Sequence, residues 1–514
     1  MASSAHAVAI EEATIADIHA AYRAGTLTVR AVIAAYLARI AAYDKDGLYL
    51  NALITVNARA LEEADTIDAA YQASGTFIGP LHGIPVIVKD NLDAVGMPMT
   101  SGFQGWKNYY PPTDAPVVAK IKAAGGIILA KASLSEFAKG GGDNINSVLP
   151  GFARNPYNTL YATGGSSGGT GAALAANFGV VGIGTDTGGS VRMPAAHNAL
   201  VGLRPTVGLV SRTGVVPLDG VRDTAGPMAR SVTDMTILLD VIVGPDAADA
   251  ATARSTGHIP PSYLPCLKQD GLHTARLGVL RQVFTPQVTD PRIIANFEQT
   301  IAELKAAGAE IVDPFIVPEL DTIPRPPQTS AQFKTDLTRW IAQHPGVPYP
   351  SVKDIAASKL VHPLHQQSFD EAVDALPAEQ DPATIEGRQN EARFRAAFMQ
   401  AMDAAHIDAL VFPTWAQLPA INGDRNTQIT NDPKPAPNAS PTHLGSSLTF
   451  VGSMLQWPAL SVPNGSIQGL PAGLQILGRA WDEAKIIQYA YAYEQATRYR
   501  QPPSTVPPLA PPVP

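Results

Sequence analysis

The sequence predicts an α/β protein whose core is a mixed, mostly parallel β-sheet covered by helices on both faces. Short β-branched runs such as 84–88, 127–130 and 180–184 read as strands buried on both sides, because they lack the polar alternation of a half-exposed sheet. Segments with apolar residues spaced i, i+3 and i+4 lie between such runs and read as covering helices. Glycine clusters mark the boundaries, as at Gly125-Gly126 and on both sides of 180–184. With 514 residues, 45% hydrophobic and 16% charged, the chain has ample apolar material for a large core.

Taken in order, residues 1–76 predict an N-terminal helical arm. Thr14 and Asp17 form a capping-box start, with Ile15, Ile18 and Tyr22 at helical spacing. Val29, Val32, Ile33, Tyr36, Leu37 and Ile40 predict a second helix. Residues 77–500 then carry the main α/β unit. Its strand 84–88 ends in Lys89-Asp90-Asn91, a helix follows over 115–124, and 127–130 is the next strand. Ser133-Leu134-Ser135-Glu136 reads as another capping box, and 180–184 as a central strand. Further on, 277–280, 293–306 and 310–312 resemble one βαβ unit, 407–412 and 459–462 are strands, and 483–497 is a final helix. Proline clusters at 324–327, 345–350 and 433–441 mark loops, and the proline-rich tail 501–514 is expected to run extended over the surface or to be disordered.

The net charge of −8 argues against nucleic-acid binding and fits a neutral small-molecule substrate. The single cysteine, Cys266, excludes an intramolecular disulfide and fits a reducing, cytoplasmic setting. No signal-peptide pattern stands at 1–12, and no apolar run of about 18 residues predicts a membrane span.

The densest chemical signal is Gly164-Gly165-Ser166-Ser167-Gly168-Gly169, followed by Thr185-Asp186-Thr187-Gly188-Gly189-Ser190. Two glycine-framed serines stand downstream of Lys89, itself at a strand's carboxyl end, where open α/β sheets place ligands. A serine hydroxyl needs a base to become a nucleophile, and lysine can be that base only when neutral. Its reference pKa of about 10.4 must then fall by roughly three units, about 4 kcal/mol of environmental bias. The apolar strand before Lys89 favours this fall, while Asp90 opposes it if it points inward.

This arrangement resembles the amidase signature family of serine hydrolases, which includes bacterial amidases, aryl acylamidases and urethanases. Flanking segments match as well: Pro80-Leu81-His82-Gly83, Arg154-Asn155-Pro156, Gly202-Leu203-Arg204-Pro205-Thr206, Asp223-Thr224-Ala225-Gly226-Pro227-Met228 and Gly469-Leu470-Pro471-Ala472-Gly473-Leu474-Gln475. The resemblance spans roughly residues 14–497 and is weakest from about 247 to 405, the variable, substrate-facing region. It implies Ser190 as nucleophile, Ser166 as a bridging serine in a cis peptide bond, and Lys89 as base. It also implies an oxyanion hole from the N–H groups of Thr187, Gly188, Gly189 and Ser190, with Asp186 and Arg192 holding the loop. The reaction implied is hydrolysis of an amide, anilide or carbamate through an acyl-enzyme, with esterase and urethanase activity alongside. No cofactor and no metal is expected, and the chain is expected to act as monomer or homodimer.

Other readings account for less. Gly164-x-Ser166-x-Gly168 formally fits an α/β-hydrolase elbow, but a turn-rich Arg154-Asn155-Pro156-Tyr157-Asn158 precedes it and His197 has no supporting context. No Gly-Lys-[Ser/Thr] follows the glycines to make a phosphate loop. His362-Pro363-Leu364-His365 lacks metal-site spacing and reads as an ordinary loop, and Asn438-Ala439-Ser440 and Asn464-Gly465-Ser466 are formal sequons only. An amidotransferase subunit, releasing ammonia from glutamine for a partner, shares the family's fold and triad and is the alternative. Selectivity is expected from 143–149, 314–376 and 413–457, where Phe315, Phe333, Trp340, Phe369, Trp415, Phe450, Met454 and Trp457 offer an apolar acyl or aryl pocket.

Overall fold

One continuous sheet organises the computed structural model, which describes residues 10–139, 149–326, 329–423 and 448–509. Among the described residues its eleven strands are β1 (Leu53–Val56), β2 (Pro85–Lys89), β3 (Ile127–Ala132), β4 (Val181–Asp186), β5 (Val201–Arg204), β6 (Thr224–Ala229), β7 (Arg276–Val279), β8 (Glu310–Val312), β9 (Ala409–Pro413), β10 (Ala459–Ile467) and β11 (Leu470–Leu477). They lie in the order β1-β3-β2-β4-β6-β5-β10-β11-β9-β7-β8.

The sheet is mixed, but the expected majority of parallel pairings is not found. Only β2–β3, β2–β4, β7–β8 and β7–β9 are parallel, and the other six pairings are antiparallel. The buried hydrophobic runs that suggested parallel strands arise because β2, β3, β4, β6 and β11 are buried along their whole length whatever their direction. Antiparallel strands covered on both faces read the same way. The β10–β11 hairpin, joined through Gln468 and Gly469, supplies the longest ladder.

The carboxyl ends of β2 and β4 meet as parallel neighbours, with Val88 opposite Ile183. This brings Lys89, the last residue of β2, beside Thr185 and Asp186 at the end of β4. The wholly buried helix Gly168–Ala175 packs beneath them. A Cβ at Gly169 would overlap the backbone of Ser133 and Ala52, so only glycine allows the approach.

Several local expectations change. Residues 1–76 are not only helical, since helices Ile15–Arg23 and Val29–Ile40 are followed by β1, which pairs with β3 at the sheet edge. Thr14 makes its capping box, but the one expected from Ser133 and Glu136 does not form. The Ser133 hydroxyl has no hydrogen-bond partner among the described residues, and only the short helix Glu136–Ala138 follows, where Phe137 and Ala138 take positive φ. His362 and Pro363 open the helix Pro363–Asp374 instead of a loop, and the His362 ring accepts from the Leu364 N–H. Proline at the first helical position explains why the segment mimics a loop in sequence. The tail follows the surface as far as it is described: Arg39 and Tyr43 donate to Pro507 O at 3.0 and 2.9 Å. Residues 510–514, residues 143–148 of the expected selectivity segment, the sequon at Asn438 and the whole proline cluster 433–441 lie outside the described residues.

Candidate active site

Lys89 is the centre of the site. It is wholly buried at the end of a strand with no exposed position, so its amine cannot reach water. Its Nζ lies 2.7 Å from Ser166 Oγ and 2.7 Å from Thr185 Oγ1, with Thr185 O at 3.4 Å. Burial pulls the Lys89 ammonium down to about 7, against the opposing pull of Asp186 and Asp223. A neutral amine has two N–H groups and one lone pair, so Thr185 can take the hydrogens while the lone pair accepts from Ser166. Asn91 Nδ2 donates to Thr185 Oγ1 at 3.1 Å and holds that hydroxyl in place.

Asp90 points elsewhere. Its carboxylate pairs with Lys131 at 3.0 Å and accepts from the Thr100 N–H at 3.1 Å and from its hydroxyl. The adjacent acid therefore does not oppose the shift of Lys89.

Ser166 follows a cis Gly165–Ser166 peptide bond. Its carbonyl accepts from Ser135 N at 3.1 Å, and Ser167 N donates to Ser190 O at 3.1 Å, tying the two serine loops together. Ser167 Oγ clamps Thr185 from both sides, accepting from its N–H and donating to its carbonyl, each at 3.2 Å. Ser166 is buried, whereas Ser190 is half-buried.

The loop between Asp186 and Ser190 is held by charge. Asp186, wholly buried, accepts from Gly189 N (2.9 Å), Val191 N (3.1 Å), Arg192 Nε (3.0 Å) and Nη2 (2.9 Å), and Arg204 Nη1 (3.0 Å). Burial alone would raise its pKa, but Arg192 and Arg204 outweigh it and hold the carboxyl well below the usual range. Arg192 also donates to Thr449 O (2.8 Å), Gln475 Oε1 (2.9 Å) and Ser453 Oγ (3.0 Å), fastening the loop to a segment more than 250 residues away. Thr187 Oγ1 donates to Asp223 at 2.5 Å, and burial with the nearby Asp219 pushes Asp223 up to about 7.

The expectation for Gly189 is corrected. Its N–H donates to Asp186 Oδ1 at 2.9 Å and is thus already engaged within the protein. Among the described residues the N–H groups of Thr187, Gly188 and Ser190 donate to no protein acceptor. Gly189 has φ +129°, and a Cβ there would overlap the Thr449 side chain.

The expected aromatic lining is also corrected. Phe315, Phe333, Trp340, Phe369, Met454 and Trp457 are buried in the core, Trp415 is buried but lines a small cavity beside His197, and of that set Phe450 alone is half-buried, against Gly188. Core packing between helices produces the same aromatic enrichment as a pocket. Sequence reasoning did not single out Thr185, Asn91, Arg204, Asp223 or Thr449 as contacts of the site, although all but Thr449 sit inside the quoted segments.

Comparison with known proteins follows the same line. The structure is similar to the peptide amidase of Stenotrophomonas maltophilia, with a TM-score of 0.83 and 37% identity over 97% of this chain and 99% of that one. A bacterial aryl acylamidase shares the fold at TM-score 0.78 and 22% identity, over 96% and 98% of the two chains. A glutamyl-tRNA(Gln) amidotransferase subunit from Symbiobacterium thermophilum is 32% identical over 504 residues, 95% of this chain and 97% of that protein. The family model for amidases matches residues 31–487, and the chain belongs to the amidase signature family.

Proposed function

We propose that this protein hydrolyses an amide-type C–N bond through an acyl-enzyme on Ser190, with Ser166 relaying the proton to Lys89. The contact that carries the reading is the 2.7 Å approach of Lys89 Nζ to Ser166 Oγ inside a wholly buried pocket. Lys89 accepts the Ser166 proton as Ser166 accepts that of Ser190, and Ser190 Oγ attacks the carbonyl carbon. The oxyanion is met by the N–H groups of Thr187, Gly188 and Ser190, each such donor contributing about 3–4 kcal/mol to the transition state. The amine leaves with the relayed proton, and water, deprotonated along the same path, frees the acid and restores Ser190.

Amides, anilides and carbamates present the same carbonyl to this loop, so urethane and ester cleavage belong to the proposed range. The similarity to a peptide amidase supports a free-standing hydrolase. The full-length similarity to amidotransferase subunits supports a second reading, in which glutamine is the substrate and a partner receives the ammonia.

A panel of an anilide, an aryl carbamate, an aryl ester and a primary amide, with glutamine added, tests both. Wild type is expected to turn over panel members unaided, and Ser190→Ala and Lys89→Ala to lose at least about 10³-fold in kcat. Turnover surviving Ser190→Ala removes the assignment. Silence of the lone chain, with glutaminase activity only beside a partner, selects the second reading.

A further inference from the structure

Ser190 is one of the few residues with any solvent exposure in a largely buried part of the fold. Within 181–204 only Gly188 and Ser190 are not buried, and within 448–455 only Phe450 is not. A Cβ placed on Gly188 would lie 2.9 Å from Phe450 Cε2, so the ring lies directly against the loop that bears Ser190. Thr449 fixes this neighbour: its hydroxyl donates to Gly188 O at 2.7 Å and its carbonyl accepts from Arg192 at 2.8 Å. Beyond the ring comes Arg325, half-buried, its guanidinium carbon 4.0 Å from the Phe450 centroid.

Arg325 differs from the other arginines around the site. Arg192 and Arg204 hold Asp186, and Arg222 holds Glu391 and Asp219. Among the described residues no carboxylate pairs with Arg325, and the charged neighbour that acts on it is the cation Arg222. Burial, reinforced by Arg222, lowers Arg325 to about 10, so it stays charged at neutral pH. A partly desolvated cation facing another cation is unfavourable until an anion joins it. The guanidinium lies over the Phe450 ring, a cation–π contact, and its planar fork matches a carboxylate.

We propose that Arg325 recognises a carboxylate on the substrate, one aromatic ring beyond the amide carbonyl, so that acid-bearing amides are the preferred substrates. This rests on Ser190 being the hydrolytic centre. A role limited to capping Phe450 would leave the charge of the substrate irrelevant.

Two matched pairs test it. The first compares the mono-para-nitroanilide of succinic acid with the uncharged para-nitroanilide of valeric acid. The second compares acetylated para-aminobenzoate with acetylated para-toluidine, placing the charge on the leaving group. In wild type one pair is expected to favour the acid, with a KM that rises with ionic strength. Arg325→Met should lower the acid-to-neutral ratio of kcat/KM at least about tenfold, mainly through KM, the size expected for a lost charged hydrogen bond. Arg325→Lys should keep part of the preference, and Arg325→Glu should reverse it. The pair that responds tells which side of the bond carries the acid. A ratio that stays within about twofold of wild type in Arg325→Met and Arg325→Glu for both pairs, or a wild type indifferent to charge, overturns the proposal. Ser190→Ala, run on the neutral members alone, tests the underlying reading separately.

Discussion

Asp90 and Lys131 form an ion pair of 3.0 Å with both side chains wholly buried, immediately beside the strand end that carries Lys89. The backbone joins in, since Asp90 N donates to Ala132 O at 3.1 Å. The pair explains how an acid can follow Lys89 in sequence without stabilising its charged form. It also sets a cost for disturbing it: removing one member of a buried pair leaves an uncompensated charge, about 3–5 kcal/mol. Lys131→Met is expected to lower the unfolding free energy by that amount in urea titration. Lys131→Met with Asp90→Asn should recover a good part of it. Equal stability of the single variant and wild type would contradict the pairing.

Activity should follow the protonation of Lys89. The base works only when neutral, so kcat/KM is expected to be low in acid, to rise through about pH 7, and to level above it. The sign for stability agrees. The folded amine titrates near 7 and the unfolded one near 10.5, so between those values the unfolded chain binds the extra proton. Folding is therefore favoured as pH rises across that window; as pH falls from 10.5 the cost of the buried amine grows, and it is complete and constant below about 7. Lys89→Met should flatten this slope in pH-dependent unfolding while abolishing turnover. A wild-type profile that falls as pH rises through 7 would exclude a lysine base.

Asp223 acts on the same proton from a distance. It opposes the lowering of Lys89, and it accepts the Thr187 hydroxyl beside the proposed oxyanion hole. Asp223→Asn keeps the size and an acceptor oxygen but removes the charge. The inflection of kcat/KM should move to lower pH, because less negative potential remains to hold the ammonium form. An inflection that moves up, measured on the same substrate, would show that another group controls the profile.

Much of this site could be read before any coordinates, and the reason lies in how local it is. Ser166, Ser190 and Asp186 sit in glycine-rich segments whose composition has no good explanation other than a sharply turned, ligand-facing backbone. Lys89 ends a run of buried β-branched residues, so both its burial and its place at a strand end follow from pattern alone. What could not be read depends on long-range pairing. Strand direction between β4 and β6, or β10 and β5, is invisible in a hydrophobic run that looks alike either way. Arg325 and Phe450 are 125 positions apart in numbering, and neither sits in a motif. Gly189 shows the finer limit: its position was evident, but which way its N–H turns depends on Asp186 being drawn in by Arg192 and Arg204.

That hub makes the last prediction. Asp186 gathers two loop N–H groups and two arginines, all without access to solvent. Asp186→Asn would keep one acceptor oxygen, place an amide against cations, and leave Arg192 and Arg204 without their anion. The expected loss is about 3–5 kcal/mol in stability, with kcat falling further than the fraction folded because Gly189 is released. The pH dependence gives a second check. A carboxyl held below its ordinary value stabilises the fold above the unfolded pKa of 3.8, and that stabilisation is lost only as pH falls toward the lower folded value. Wild type should therefore gain stability over Asp186→Asn as pH rises from about 2 to 5, and the gap should then stay constant to neutrality. A gap that instead widens only near pH 7 would assign the effect to Asp223 or Lys89, and the hub would lose its role.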